Sequence, residues 1–476
     1  MHMNSDFALY ERLAASILSQ ISAGALRPGD RVPSVRHLSR ARQVSISTVL
    51  QAYRKLEDDG VIEARPQSGY YVRHLPRRLP EPATSNPPQQ AQFVGISALV
   101  SSALETGHRP GSIPLATACP GPSLFPVAKL QRLIAGVVRR HPMLAATYSS
   151  RPGHPELRRQ IARRALEWGC EIDPAEIVIT NGCMEALNLA LRCVARIGET
   201  IALESPAYFG LLQIIESLGM KALEIPTHPR DGLSVEAFDF ASRSMPVRAC
   251  VVVSNVSNPL GSVMPESEKR RLVKLAAERG ITLIEDAVYS DLYDGTQPPA
   301  LAKSYDPDGN VILCSSFSKT LAPGLRMGWI VPGRHRRQIE LLKFINSVAS
   351  PEVLQLAVAE FLASGGYDHL LRRLRRAFRV QTEKTSEAIC RYFPEGTKVS
   401  RPQGGFLLWV ELPVQVDSIA LMREAAKENI GIAPGPLFSS TDRYLKFVRI
   451  SCGYPWSADI ERAISRLGEM AALKLG

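Results

Sequence analysis

The sequence predicts an α/β protein with a small, helical and basic domain at its N-terminus. Three observations predict it. Beyond about residue 110, strand-like apolar runs alternate with helix-like segments, the signature of a sheet flanked by helices. Residues 1–80 instead show helical spacing and hold 12 Lys or Arg against 7 Asp or Glu, nearly half of the net charge of +11. Between the two, HLPRRLPEPATSNPPQQAQ (74–92) is rich in Pro, Gln and Ser and too poor in apolar residues to bury a core. The expected organisation is a first domain over 1–73, a linker over 74–109 and a second domain over 110–476.

Bulk properties narrow the class. A chain of 476 residues suggests about two to four domains. No apolar run is long enough to span a bilayer, and MHMNSDFALYERL lacks the basic start and apolar core of an export signal. The expectation is a cytoplasmic protein with no membrane partner. Eight cysteines are scattered without a CxxC pair or a Cys/His cluster, so no metal site is expected.

The head reads as three helices and a hairpin. Leu9, Leu13, Ile17 and Ile21 recur at helical spacing, and Gly24 and Pro28-Gly29 stop that helix. A second, short helix fits Ser34 to Arg40, with Pro33 and Ser34 at its start. A turn through Gln43 and Val44 leads to a third helix, about Ser47 to Asp58, with Val49, Ala52, Tyr53 and Leu56 facing inward. Gly60 ends it, and VIEARPQSGYYV reads as a two-stranded hairpin. This order is a winged helix-turn-helix, whose third helix enters the major groove of double-stranded DNA. Ser45, Ser47 and Thr48 are then the residues at base edges, and Arg36 and Arg65 meet phosphates or groove atoms. The bland alternative is a helical dimerisation domain.

GDRVPSVRHLSR (29–40), VSISTVLQAYRKLEDDGVI (44–62) and SGYYV (68–72) resemble the GntR family of bacterial transcription factors. That family commonly has an arginine where Ile46 stands here, so the base contact of that arginine is not carried over.

The second domain carries chemistry at its strand ends. In LCSSFSKTLAPGLRMGW (313–329) an apolar strand runs into Lys319, flanked by Ser316 and Ser318, with Arg326 seven residues on. This is a reactive amine beside phosphate ligands. ITLIEDAVYSDLY (281–293) ends a strand in Asp286, a carboxylate that a pyridinium nitrogen would pair, with Tyr289 near a ring hydroxyl. In VVVSNVSNPLG (251–261), Asn258 aims an amide at the same hydroxyl. EIVITNGCMEALNLALRCV (176–194) is strand, glycine turn and helix, and the amides of Gly182, Cys183 and Met184 form a ready phosphate site. Tyr208 of ALESPAYFG (202–210) is the aromatic for a ring face, or a core tyrosine. Arg449 of FVRISCGY (447–454) suits a carboxylate clamp, and Gly404 and Gly405 allow backbone near a ligand. Together they make a pyridoxal 5'-phosphate site at the carboxyl ends of a parallel sheet.

The set resembles fold-type I aminotransferases over roughly 110–470, which implies a large cofactor domain and a smaller C-terminal α+β domain. Related enzymes usually place a small or hydroxyl-bearing residue where Cys183 sits. Tyr148 with Gly153 and PELRRQIA matches the segment that sends a tyrosine to a neighbouring subunit's phosphate, which implies a homodimer. Nearly the whole chain, apart from the linker, resembles the MocR subfamily of GntR regulators, where a head-to-tail dimer is expected. The resemblance implies a transcriptional regulator that senses an amino compound, or pyridoxal phosphate itself, through aldimine exchange at Lys319, without physiological turnover. An active aminotransferase with a tethered DNA-binding domain is the alternative.

Overall fold

Two serines start the helices on which the N-terminal unit is built. Ser34 accepts a hydrogen bond from the His37 amide and Ser45 one from the Thr48 amide, each satisfying a helix-end donor. The computed structural model describes residues 9–474 apart from 23–24, 27–28, 59–60, 66–67, 73–78, 108–110, 150–151 and 442. The chain divides into two units, 1–78 and 79–476.

The first unit holds α1 (Leu9–Ser22), α2 (Val35–Arg42) and α3 (Ile46–Asp58), then a hairpin of β1 (Ile62–Arg65) and β2 (Gly69–Val72). Leu13, Ile17, Leu38, Val49, Ala52, Tyr53, Leu56, Ile62 and Val72 form its core. Leu9 begins α1 but stays 52% exposed, outside the apolar stripe expected to include it. Helix α2 runs two residues past the expected Arg40 and stops where Gln43 turns left-handed at φ 51°. Gly24, Pro28 and Gly60, the expected breakers, lie outside the described residues. The hairpin pairs Ile62 with Val72 through Arg65 with Gly69, and Arg31 bridges to Tyr71. The winged helix-turn-helix of the sequence reading is this unit.

The larger unit begins with β3 (Gln92–Phe93), α4 (Ser97–Gly107) and β4 (Ile113–Pro114), followed by α5 (Val127–Arg140) and α6 (Pro155–Ala165). Strand β5 (Val178–Thr180) feeds α7 (Cys183–Val194), and β6 (Thr200–Ser205) feeds α8 (Phe209–Ser217). Next come β7 (Lys221–His228), β8 (Gly232–Leu233), α9 (Val235–Ser244), β9 (Val247–Val252) and α10 (Glu266–Glu278). Strands β10 (Thr282–Asp286), β11 (Val311–Ser316) and β12 (Gly328–Val331) complete the main sheet. After α11 (Arg336–Ser347), α12 (Glu352–Ala363) and α13 (Gly366–Tyr392), the chain builds a second sheet from β13 (Lys398–Val399) and β14 (Leu407–Glu411). Helix α14 (Ser418–Lys427), β15 (Ile430–Gly431), β16 (Ala433–Pro434), β17 (Phe447–Ser451) and α15 (Ala458–Leu473) finish the fold.

The main sheet runs β3-β7-β6-β9-β10-β11-β12-β5, with β8 on β7. Strands β7, β6, β9, β10 and β11 are mutually parallel and β12 is antiparallel to both β11 and β5. The carboxyl ends of β5, β6, β9, β10 and β11 therefore share one edge. From β6 the chain moves to β7 on one side, then returns to β9 on the other, so the order reverses there. That reversal opens a crevice at the strand ends. The smaller sheet, in the order β13-β14-β17-β16, brings Arg449 on β17 to the same region.

The linker expected over 74–109 differs from what is seen. Residues 79–107 belong to the larger unit: β3 pairs with β7, and Val94, Ile96, Val100 and Ala103 join the core. Glu216 explains the difference. Its carboxylate accepts from the Ile96 and Ser97 amides at 3.0 Å each and from the Ser97 hydroxyl at 2.9 Å, anchoring the start of α4. Among the described residues no helix is long and apolar enough to cross a membrane, and no His/Cys/Asp/Glu cluster could hold a metal.

Asp291 ties the layers together beneath the strand ends. It pairs with the buried Arg164 at 3.0 Å and accepts from Tyr367 at 2.7 Å and Trp168 at 3.2 Å. Tyr367 also meets Thr320, next to Lys319, at 2.7 Å. Asp291→Ala strips the buried Arg164 of its enclosed partner, leaving Glu167 and Asp368 at the edge. The expected loss is about 3 kcal/mol of stability, read as a lower denaturant midpoint, where a surface ion pair contributes under about 1.

Candidate functional site

The strand ends surround a cavity of about 420 Å³. Lys319, Asp286, Tyr289, Asn258, Tyr208, Cys183, Met184, Ser316, Ser318, Arg326 and Arg449 all line it. Eleven of the residues singled out in the sequence thus converge on one space, because each follows or ends a strand sharing that edge or lies on the sheet beside it.

The turn before α7 shows why glycine is needed. Gly182 has φ +85°, and a Cβ there would sit 2.2 Å from Arg326 Nη2. Gly328 is equally confined, since its Cβ would lie 2.5 Å from the Gly182 carbonyl carbon. With both positions bare, Arg326 reaches over the turn and donates to the Asn181 carbonyl at 3.1 Å and to Ser318 Oγ at 3.4 Å. Glu185 steadies the turn, accepting from the Asn181 amide at 2.6 Å and from Lys343 at 2.7 Å. Cys183 and Met184 open α7, so their amides have no intrahelical carbonyl to bond and lie at its positive end. Two hydroxyls, a guanidinium and helix-end amides stand together where they could hold an anion.

Asp286 ends β10 and is only 8% exposed. It accepts from the Val288 amide at 3.0 Å and the Cys183 thiol at 3.4 Å, and burial raises its pKa to about 6. Burial likewise pushes the Cys183 thiol well up. Tyr208 lies over Gly210, where a Cβ would come within 2.6 Å of its ring, and beside Phe209 at 5.0 Å between centroids.

Two cationic side chains lean on one stretch of backbone. Lys319 Nζ donates to the Ala118 carbonyl at 2.6 Å, and Arg449 Nη2 to the Ala116 carbonyl. Arg449 Nη1 also donates to Asn258 Oδ1 at 3.2 Å. Burial lowers the pKa of both, and thereby favours a neutral, nucleophilic Lys319 amine. Two buried polar atoms on the cavity-lining residues, Tyr289 Oη and Arg449 Nε, have no partner among the described residues. Such orphans fit a site whose bonds a ligand completes.

Other residues fall elsewhere. Tyr148 is 86% exposed and does not line its own chain's cavity. Gly404 and Gly405 pack instead against the Leu292 carbonyl and Val256, so their closeness serves the fold rather than the cavity. Sequence reading missed Ala116, Thr117, Ala118 and Cys119, which follow no strand-turn-helix pattern. In the first unit, Ser45 Oγ shares hydrogen bonds of 2.7 Å with both Ser47 and Thr48. Arg36 is exposed on α2, whereas Arg65 pairs with Glu63 at 2.9 Å and lies 4.4 Å over the Tyr71 ring.

Comparison with known proteins agrees with both halves. Residues 9–72 match the family model of bacterial regulatory proteins of the gntR family, and residues 133–467 match aminotransferase class I and II, a PLP-dependent family. An uncharacterized HTH-type transcriptional regulator of Escherichia coli, YdcR, is 38% identical over 98% of this chain and 99% of its own length. Among solved structures, multiple substrate aminotransferase from Thermococcus profundus is 25% identical, with TM-score 0.73 over 80% of this chain and 96% of that one. LysN, the α-aminoadipate aminotransferase of Thermus thermophilus complexed with N-(5'-phosphopyridoxyl)-L-leucine, is 27% identical, with TM-score 0.72 over 79% of this chain and 95% of that one.

The Asp286 carboxyl titrates at about 6 when folded, above the ordinary 3.8. Its contribution to stability is complete below the lower value and is lost as pH rises through the higher, about 3 kcal/mol in all. Asp286→Asn is therefore expected to flatten the fall in stability between about pH 4 and 7 in ligand-free protein, read from denaturant midpoints against the parent chain.

Proposed function

The chain belongs to the transcriptional regulators of MocR type, a GntR DNA-binding domain joined to a class I and II aminotransferase domain, and we propose that the second domain is its sensor for an amino compound. One observation carries the reading: an amine, a buried carboxylate, an anion cradle and a buried arginine line a single cavity. The residues fit pyridoxal phosphate. Ser316, Ser318, Arg326 and the amides of Gly182, Cys183 and Met184 would hold its phosphate, Asp286 its ring nitrogen, Tyr289 and Asn258 its hydroxyl, and Tyr208 a ring face. When bound, the cofactor supplies an aldehyde that condenses with amines and a ring that draws electrons from them. Tyr148 of a second subunit would complete the phosphate cradle in a head-to-tail homodimer.

The chain's own groups then do the sensing. Lys319, lowered in pKa by burial, would be the amine that holds the cofactor and whose place an effector's amine would take. Arg449 takes the effector's carboxylate in fork geometry. Cofactor attachment at Lys319 and carboxylate capture at Arg449 would each break a bond to the 116–118 backbone, which holds both side chains. Effector binding is thus coupled to a rearrangement of this segment, giving two states with different contacts, as a transmitted signal requires. Such a regulator works on DNA in the cytoplasm. Pyridoxal phosphate acting alone as effector engages Lys319 but not Arg449.

A second reading, a working aminotransferase with a tethered DNA-binding domain, draws on the completeness of the same residue set. Steady conversion of an amino acid with a keto acid, with no operator footprint, favours it over sensing.

Operator binding by the cofactor-loaded protein should respond to an amino acid, and Arg449→Ala should raise the concentration for half response at least about tenfold, the loss of a charged hydrogen-bond pair. An unchanged response removes Arg449 from the sensor. Arg36→Ala should weaken binding to all duplexes alike and lower the slope of log affinity against log salt by about one. A filter or anisotropy titration at several salt concentrations reads both.

A further inference from the structure

We propose that Ile46 reads the 5-methyl group of thymine, and so makes thymine a base this regulator selects opposite the start of α3. The inference rests on the DNA-binding role of the first unit and deepens it. The first turn of α3 and its cap present Ser45, Ile46, Ser47 and Thr48. The three hydroxyls are engaged with one another. Ser45 caps the helix through the Thr48 amide at 3.0 Å and bonds the Ser47 and Thr48 hydroxyls at 2.7 Å each. Ser45 is committed to helix geometry, and its two neighbours are oriented by it.

Ile46 differs from them. It is 50% exposed, while Val49, Ala52, Tyr53 and Leu56 of the same helix are wholly inside. Among the described residues, the other large exposed aliphatics of this unit, Leu9 and Leu18, sit on α1. An isoleucine side chain has no hydrogen-bonding group, so it can read neither a phosphate nor a polar base edge. The major groove offers one apolar feature, the thymine methyl. Arg36, exposed on α2, supplies the phosphate contact that sets register. One methyl buried against Ile46 corresponds to about fourfold in affinity, by the worth of a buried carbon.

The test uses the full-length protein and duplexes selected on it from a random pool. The tightest duplex is resynthesised with deoxyuridine in place of thymine, one position at a time, which removes only the methyl. At one position in each half-site the parent protein should lose about fourfold in affinity. Ile46→Ala should bind the thymine and uracil duplexes alike, and Ile46→Val should keep the discrimination. Because Ile46 is outside the core, Ile46→Ala should melt with the parent. Equal binding of every deoxyuridine duplex by the parent overturns the proposal, as does discrimination that survives in Ile46→Ala. A pool yielding no bound duplex overturns instead the DNA-binding role beneath it.

Discussion

A carboxylate buried at the end of a central strand is the constraint around which the larger unit is arranged. Asp286 has an amide and a thiol as partners and no ion pair among the described residues. Burying such a group costs several kcal/mol unless a cation meets it. The fold keeps it nonetheless, on the wall of a cavity that also holds Lys319, Arg326 and Arg449. A protonated ring nitrogen is the cation that would satisfy it. The parallel strands bring β10 to the same edge as β5, β6, β9 and β11, so Ser316, Ser318, Tyr208 and Lys319 come with it.

The second organising feature is the 116–118 backbone. One short stretch engages both an amine and a guanidinium that a bound ligand would claim. Two ligand groups would thereby act on one element. It follows β4 directly in sequence, and β4 pairs with β15. Differential contact with two arrangements of such an element is what turns occupancy into a signal.

Much of this was legible because the chemistry sits where periodicity changes. Lys319, Asp286, Asn258, Tyr208 and Gly182 each follow or end an apolar strand, and strand ends of a parallel sheet meet. Ser34 and Pro33 marked the start of α2, and apolar spacing ordered the three helices and the hairpin. Other features follow from tertiary context and have no local pattern. The 79–107 segment looks like linker because its order comes from Glu216, far along the chain. Ala116 and Ala118 act through carbonyls, which every residue has. Gly404 and Gly405 were read as ligand-facing, but close approach alone does not say what approaches. Ser45 looked like a base reader, yet its hydroxyl is needed first to cap α3.

The account stands on covalent attachment at position 319. Borohydride reduction of the protein with pyridoxal phosphate, followed by peptide mapping, tests this most directly. The prediction is one phosphopyridoxyl group per chain on the peptide containing Lys319, and far less in Asp286→Ala, where the ring has lost its anion. Label spread over surface lysines, or none at Lys319, would contradict the account.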